Sequence, residues 1–261
     1  MVSNTIIGVP LEPQPILKSM VCGDESEPDP QDVESSLRLF KIRSADSEGQ
    51  RSLASILINR MYATRGYRTS PLPGRPPPTR ITLLACEHDA VIGTITIGFD
   101  SAAGLHVDDP FGCETRRLRD AGRRMCEFTT LAMDSVVRSK RVLASLFHVA
   151  YIFAHRMMGF DSLLIEVNPR HVRYYERMLG FRVIGTQRMN HRVNAPAVLL
   201  CLDFSHAQEQ IEKLGGQPEL ALHDRSLYPY FFSVEDEAGI VGRLKRAESN
   251  ESTDAAMAHA A

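Results

Sequence analysis

The stretch Cys126-Glu127-Phe128-Thr129-Thr130-Leu131-Ala132-Met133-Asp134 decides the fold. It is apolar and β-branched, with one carboxylate near its start. In a strand, alternate residues share a face. Glu127, Thr129 and Leu131 therefore lie on one side, and Cys126, Phe128, Thr130 and Ala132 on the other. A carboxylate in such a strand is either at a wet end or in use. The spacing next predicts a helix over 140–157. Ser139 is its N-cap, and Val142, Leu143, Leu146, Phe147, Ala150, Phe153, Ala154 and Met157 recur at helical intervals. Gly159 stops it. Residues 162–167 then form a strand apolar on both faces apart from Glu166, the pattern of a buried parallel strand. Strand, helix, strand is a crossover between parallel neighbours. Where two such strands splay apart, a ligand can enter.

Working outward, residues 1–36 hold five prolines, many acids and little apolar periodicity, and are expected to be a mobile arm. A first strand is expected over 37–42. Ser47 with Gln50 has the form of a capping box, opening a helix to about Ala63. Prolines 71, 73, 76, 77 and 78 make 66–79 a loop. Strands over 80–86 and 91–99 form a hairpin, with Gly93 marking a bulge. An amphipathic stretch rich in arginine precedes the central strand. After Asn168, Pro169 opens a helix ending at Gly180. Strands over 181–184 and 197–204 and a helix over 205–214 follow. The order gives an α/β fold with a mixed sheet. Three regions are expected: the arm (1–36), the folded domain (37–216), and a C-terminal extension (217–261) with an aromatic patch, Leu227 to Phe232, that hints at an intermolecular or interdomain contact, and a disordered polar end.

Composition bounds the function. Thirty Lys and Arg against 32 Asp and Glu leave no net basic character, so nothing global suggests a nucleic-acid binder. Arginines nevertheless collect at 116, 117, 119, 123, 124, 138, 141, 170, 173 and 177. They are either solvated helix faces or a docking surface for an acidic partner. The five cysteines (22, 86, 113, 126 and 201) are odd in number and lack metal-ligand spacing. This suits a reducing, cytoplasmic setting. No signal peptide or membrane-spanning run is expected. His148 and His155 are seven apart without further ligands, so no metal site is expected.

The order of elements, with the segment Glu166-Val167-Asn168-Pro169-Arg170-His171-Val172-Arg173-Tyr174-Tyr175-Glu176-Arg177-Met178-Leu179-Gly180-Phe181, resembles the GNAT acyltransferase superfamily and its splayed pair of parallel central strands. Two stretches narrow the resemblance to the N-acyl amino acid synthases, distant relatives of the acyl-homoserine-lactone synthases. One is Arg60-Met61-Tyr62 followed by Gly66-Tyr67. The other runs from Ala121 through Glu127 to Asp134. Together they cover about residues 38–204. The resemblance implies transfer of a fatty acyl group from a thioester to an amino-acid nitrogen. The donor it implies is acyl-acyl-carrier protein, or acyl-CoA, with no permanently bound cofactor expected. Where lactone synthases carry a basic residue, this chain has Thr130.

An ammonium cannot attack a thioester until it loses a proton, and Glu127 matches the family's strand carboxylate near the amine. The alternative is a structural pair with Arg123 or Arg124. A backbone N–H from Thr129 to Met133, freed by a bulge, would hold the developing oxyanion. Tyr174 or Tyr175, with Tyr175 favoured, would protonate the leaving thiolate or simply pack. The loop 134–141 lacks the glycines of a diphosphate nest and offers Arg138, Lys140 and Arg141 instead, which suits the single phosphate of a carrier's phosphopantetheine or an ordinary surface turn. Asn168 would bind pantetheine amides or cap the next helix. With Leu131 and Met133, these form the expected donor site. Arg60, Tyr62, Phe128, Thr130 and Phe147 are expected around the substrates. Leu57, Met61, Phe99 and Phe153 are further candidates for an acyl slot. The competing readings are a CoA-dependent acetyltransferase of a small amine and a non-catalytic module that binds acyl-carrier protein.

Overall fold

In the computed structural model, described over residues 5–11, 38–135 and 139–259 with side chains to 246, eight strands make one mixed sheet. They are β1 (Thr5–Pro10), β2 (Leu39–Ser44), β3 (Arg80–Glu87), β4 (Ala90–Phe99), β5 (Met125–Met133), β6 (Ser162–Val167), β7 (Arg182–Asn190) and β8 (Ala195–Asp203), in the spatial order β1-β2-β3-β4-β5-β6-β8-β7. Every neighbouring pair is antiparallel except β5 with β6. The helices are α1 (Glu48–Ala63), α2 (Asp108–Asp120), α3 (Lys140–Tyr151), α4 (Val172–Leu179), α5 (Phe204–Leu214) and α6 (Val234–His259).

The β5–α3–β6 crossover forms where the apolar pattern puts it. Eight of the ten residues of β4 are buried, because α1 packs over β4 and β5 while α3 packs against β2, β3 and β4. Gly93 is required there: a Cβ would lie 2.9 Å from Leu146 Cδ1 and 3.0 Å from Met133 Sδ. The bulge expected at Gly93 falls at its neighbour Ile92, between the pairs Ala85–Gly93 and Cys86–Val91. The capping box of α1 is present, with Gln50 N–H on Ser47 Oγ (3.2 Å) and Ser47 N–H on Gln50 Oε1 (3.0 Å). Gly180 ends α4 in the left-handed region at φ +79°, open to glycine without strain.

Several expectations need correction. Thr5–Pro10, inside the supposed mobile arm, is an edge strand on β2 with Ile6 and Val9 buried, and its proline sits at the edge where no ladder bond is lost. The remainder of that arm, with Cys22, lies outside the described residues. The first domain strand runs 39–44, not 37–42. β7 extends to Asn190 because its polar second half occupies the opposite edge and needs no apolar face. The helix expected over 140–157 is α3 followed by a π-helical turn, Ile152–Met157. The aromatic patch is not an outward contact. Leu227, Tyr228, Phe231 and Phe232 are buried against α3, and the polar end continues as α6. There Glu237 accepts from His148 Nε2 (2.8 Å) and Arg156 Nε (2.5 Å), while His148 Nδ1 accepts the Phe232 N–H (2.9 Å). His148 thus ties the C-terminal segment to the core. Cys86, Cys126 and Cys201 are buried free thiols in β3, β5 and β8.

Candidate active site

Parallel pairing between β5 and β6 stops early. The last pair is Glu127 with Leu164, whereas β6 stays paired with β8 as far as Val167. Beyond Leu164 the strands diverge, and a cavity of about 490 Å³ opens between them. The divergence coincides with a break in β5. Thr94 pairs with Ala132 and Thr96 with Thr129, so Thr130 and Leu131 together oppose Ile95. Thr130 takes φ +48°, a left-handed conformation costly for a β-branched residue. Three threonines hold it. Thr94 Oγ1 donates to the Thr130 carbonyl (2.8 Å), and Thr130 Oγ1 donates to Thr96 Oγ1 (2.6 Å), which lies 2.8 Å from Thr82 Oγ1.

The bulge resets the alternation. Cys126 and Phe128 face the α3 side before it; Leu131 and Met133 do so after it, while Ala132 turns to α1. As a result Phe128, Thr129, Thr130 and Leu131 all line the cavity. Tyr62, Phe147, Asn168 and Tyr175 from the expected set line it too. Tyr175 lies 6.5 Å from the Phe147 ring, and burial pushes its phenol well above the ordinary range. Burial also pushes the Tyr62 phenol to about 12. Asn168 caps the turn that follows, accepting the Arg170 N–H (3.2 Å).

Other expected residues stand elsewhere. Arg60 pairs with Asp134 (2.6 Å), fastening the end of α1 to the loop after β5. Met133 packs beneath Gly93. Lys140 lies over the Tyr230 ring (5.9 Å). Arg141 is half-buried at the start of α3 and absent from the cavity wall, and Arg138 lies outside the described residues. Arg119, Arg123 and Arg124 are tied within the chain. Arg119 binds Asp100 and Asp108, Arg123 binds Asp161 and Asp203, and Arg124 donates to the Met158 carbonyl.

Glu127 is fully buried and does not line the cavity. Arg80 Nη2 (2.6 Å) and the His106 N–H (2.9 Å) reach its Oε1, and the Val107 N–H (3.0 Å) reaches Oε2. Gly98 makes the space for this pair, since a Cβ there would meet Glu127 Cγ at 2.9 Å. Both oxygens are engaged, and no part of the side chain is exposed to a ligand. The partner is Arg80, neither Arg123 nor Arg124. Glu127 touches the cavity only through His106, whose Nδ1 is 3.7 Å away and whose ring lines the wall. Burial, with Arg80 and Arg192 nearby, outweighs Glu127 and holds His106 below its ordinary value, so the ring is neutral near pH 7.

Sequence reasoning missed much of the lining, including four charged residues. Arg65 and Arg68 come from the loop after α1, and Arg192 comes from the β7–β8 turn. That loop is strapped along α1: Arg51 Nη2 donates to the Gly74 carbonyl, the Leu72 N–H donates to Ser55 Oγ (2.9 Å), and Thr69 Oγ1 donates to Asn59 Oδ1. Its far side reaches the β7–β8 turn through the Arg68 N–H on the Val193 carbonyl (3.0 Å). The fourth is Glu166, the one carboxylate on the wall. Arg192 Nη2 donates to its Oε2 (2.5 Å), and Arg192 Nη1 donates to the His106 carbonyl (2.5 Å). Burial, partly offset by Arg192, raises Glu166 to about 7. Among the described residues no three His, Cys, Asp or Glu side chains converge as metal ligands, and no helix is long and apolar enough to cross a membrane.

Residues 54–203 match the family model of the N-acyl amino acid synthase FeeM. Among solved structures, FeeM from uncultured soil microbes is 28% identical, with a TM-score of 0.57 over 64% of this chain and 90% of that one. A putative N-acetyltransferase from Lactobacillus plantarum is 17% identical, with a TM-score of 0.47 over 63% of this chain and 97% of its own. The AHL synthase LasI is 11% identical, with a TM-score of 0.45 over 63% and 89%. None of the curated proteins is significantly similar. With a family match over more than half its length and a cavity opened by splayed parallel strands, the chain is an N-acyltransferase of the GNAT fold and belongs to the N-acyl amino acid synthase FeeM family.

Proposed function

We propose that this enzyme moves a long fatty acyl group from acyl-acyl-carrier protein to the amino group of an amino acid in the cytoplasm. The observation that carries this reading is the cavity itself. Its walls present apolar and aromatic side chains (Phe128 and Leu131 of β5, Ile165 of β6 and Phe147 of α3) beside a polar rim of Arg65, Arg68, Asn168 and Arg192. An acyl chain suits the first surface; a phosphopantetheine arm and an acceptor carboxylate suit the second. The bulged backbone at Thr129–Leu131 supplies the oxyanion donor, and Tyr175 supplies a proton to the departing thiolate. The glycine-free loop 134–141 favours one phosphate over a diphosphate. Exposed Arg170 and Arg173, just past Asn168, offer an acidic carrier a landing surface at the same end of β6. In this reading Glu127 acts from behind the wall. It fixes Arg80 and the 106–107 backbone so that His106 and Arg192 keep their places.

The test is a mass-spectrometric product screen of purified enzyme with an amino-acid pool and either long-chain acyl-carrier protein or acyl-CoA. N-acyl amino acid formed from the carrier-bound donor is expected. Product from acetyl-CoA alone would overturn the carrier and long-chain parts. No product from any donor would overturn the whole reading.

A further inference from the structure

Glu166 lies two residues beyond the last β5–β6 pair, on the wall of the cavity. Its side chain is 9% exposed. Oε2 is held by Arg192, while Oε1 is buried with no hydrogen-bond partner among the described residues. An unpaired buried carboxylate oxygen is expensive to keep, and a binding cavity is a place where such a cost has a use. The charges around it are Arg192 from the β7–β8 turn, Glu127 from β5 and Asp109 from the first turn of α2, with the Tyr62 phenol from α1; His106, just before α2, is joined to it through Arg192. Opposite it on β8 stands apolar Leu199. The remaining charged groups on the wall are cationic or neutral bases: Arg65, Arg68, His106, His171 and Arg192. A zwitterionic amino acid fits this layout in one direction, carboxylate toward the arginines and ammonium toward Glu166.

Resting on the acyl-transfer reading above, we propose that Glu166 seats the acceptor's ammonium and takes its proton, with Arg192 as the residue that positions it. The carboxylate accepts one proton from the ammonium, and the neutral amine attacks the thioester carbonyl. A C–N bond forms, and the carbonyl electrons move to oxygen. Collapse breaks the C–S bond. The nitrogen's second proton balances the thiolate, which leaves as a thiol, and Glu166 returns its own proton to solvent. The raised carboxyl fits this role, because a base working near neutrality is most effective with a pKa near 7.

The experiment compares the full-chain wild type with Glu166→Gln and Glu166→Asp, using the acyl-carrier donor and acceptor identified in the product screen. The expected result is a loss of at least ~100-fold in kcat/KM for the amino acid in Glu166→Gln, with partial recovery in Glu166→Asp. The wild-type acid limb near pH 7 should be absent from the residual activity of Glu166→Gln. Hydroxylamine, already neutral at neutral pH, needs no base. Its acylation by the same donor should survive in Glu166→Gln, which separates proton transfer from a structural role. Wild-type turnover by folded Glu166→Gln would overturn the proposal and leave acyl transfer standing. Equal loss of the hydroxylamine reaction would overturn it too. No product from wild type would overturn both.

Discussion

Glu127 and Glu166 stand on neighbouring parallel strands, each the lone carboxylate of an apolar run, yet their surroundings differ in kind. Glu127 sits at the last residue where β5 and β6 still pair. There it is sealed under α2 and takes three donors, one of them a guanidinium. Glu166 sits just past that limit, with one partner, one unpaired oxygen and a cavity beside it. A shift of two residues along a splay separates a carboxylate that builds the wall from one able to work inside it. The link between them is covalently short and physically specific: Glu127 holds the His106 N–H, Arg192 holds the His106 carbonyl, and the same arginine holds Glu166.

Substitutions can break this contrast. The largest effect on stability is expected from Glu127→Ala, which strands Arg80 and two amides in the interior. A loss of about 3–5 kcal/mol in urea unfolding is expected; a loss below about 1 kcal/mol would mean that Glu127 is not the anchor of the wall.

Glu166→Gln should act in the opposite direction. A folded-state carboxyl raised from 4.5 to about 7 stabilises the fold fully below pH 4.5, and that stabilisation is lost as pH rises through 7. The cost at pH 8 is about 3 kcal/mol. Glu166→Gln removes it but weakens the hold on Arg192, so a gain of about 1–3 kcal/mol at pH 8 is expected, shrinking to nothing near pH 4. Melting temperatures at the two pH values check this, and a loss of stability at pH 8 would count against it. Such a gain at the expense of activity is the usual mark of a functional group.

Gly98→Ala pushes a methyl into the Glu127–Arg80 pair and should cost about 1–3 kcal/mol. Its acyl transfer should fall less than that of Glu166→Gln, measured on protein still folded at low temperature. Thr130→Gly should be near neutral in stability. It relieves about 1 kcal/mol of backbone strain and loses a hydroxyl bond of about 1 kcal/mol. A gain of several kcal/mol would show that the threonine chain does not hold the bulge.

The scaffold was legible because its signals are local. Helical spacing located α3, Ser47 with Gln50 opened α1, and Gly180 closed α4. The sequence also pointed to a bulged or splayed β5, with most of the strand residues that line the cavity. Edge strands were harder: Thr5–Pro10 is a short run beside a proline- and acid-rich stretch, the second half of β7 is mostly polar, and tertiary pairing supplies what local pattern lacks. The polar wall was the least legible part. Arg80, His106, Glu166 and Arg192 are spread over more than a hundred residues, and no spacing connects them. Glu166 gave the same signal as Glu127, a single acid in an apolar strand. What sets them apart is where the ladder ends, which depends on the left-handed turn of Thr130. A threonine in the middle of a β-branched run gives no warning of that conformation.

The most direct measurement is a carbon-13 NMR titration of the glutamate side-chain carboxyls in wild type and Glu166→Gln. A wild-type resonance titrating near pH 7 and missing from the folded variant is expected. If the only resonance lost with Glu166 titrates in the ordinary range near 4.5, Glu166 is not the poised base, and the contrast between the two carboxylates fails.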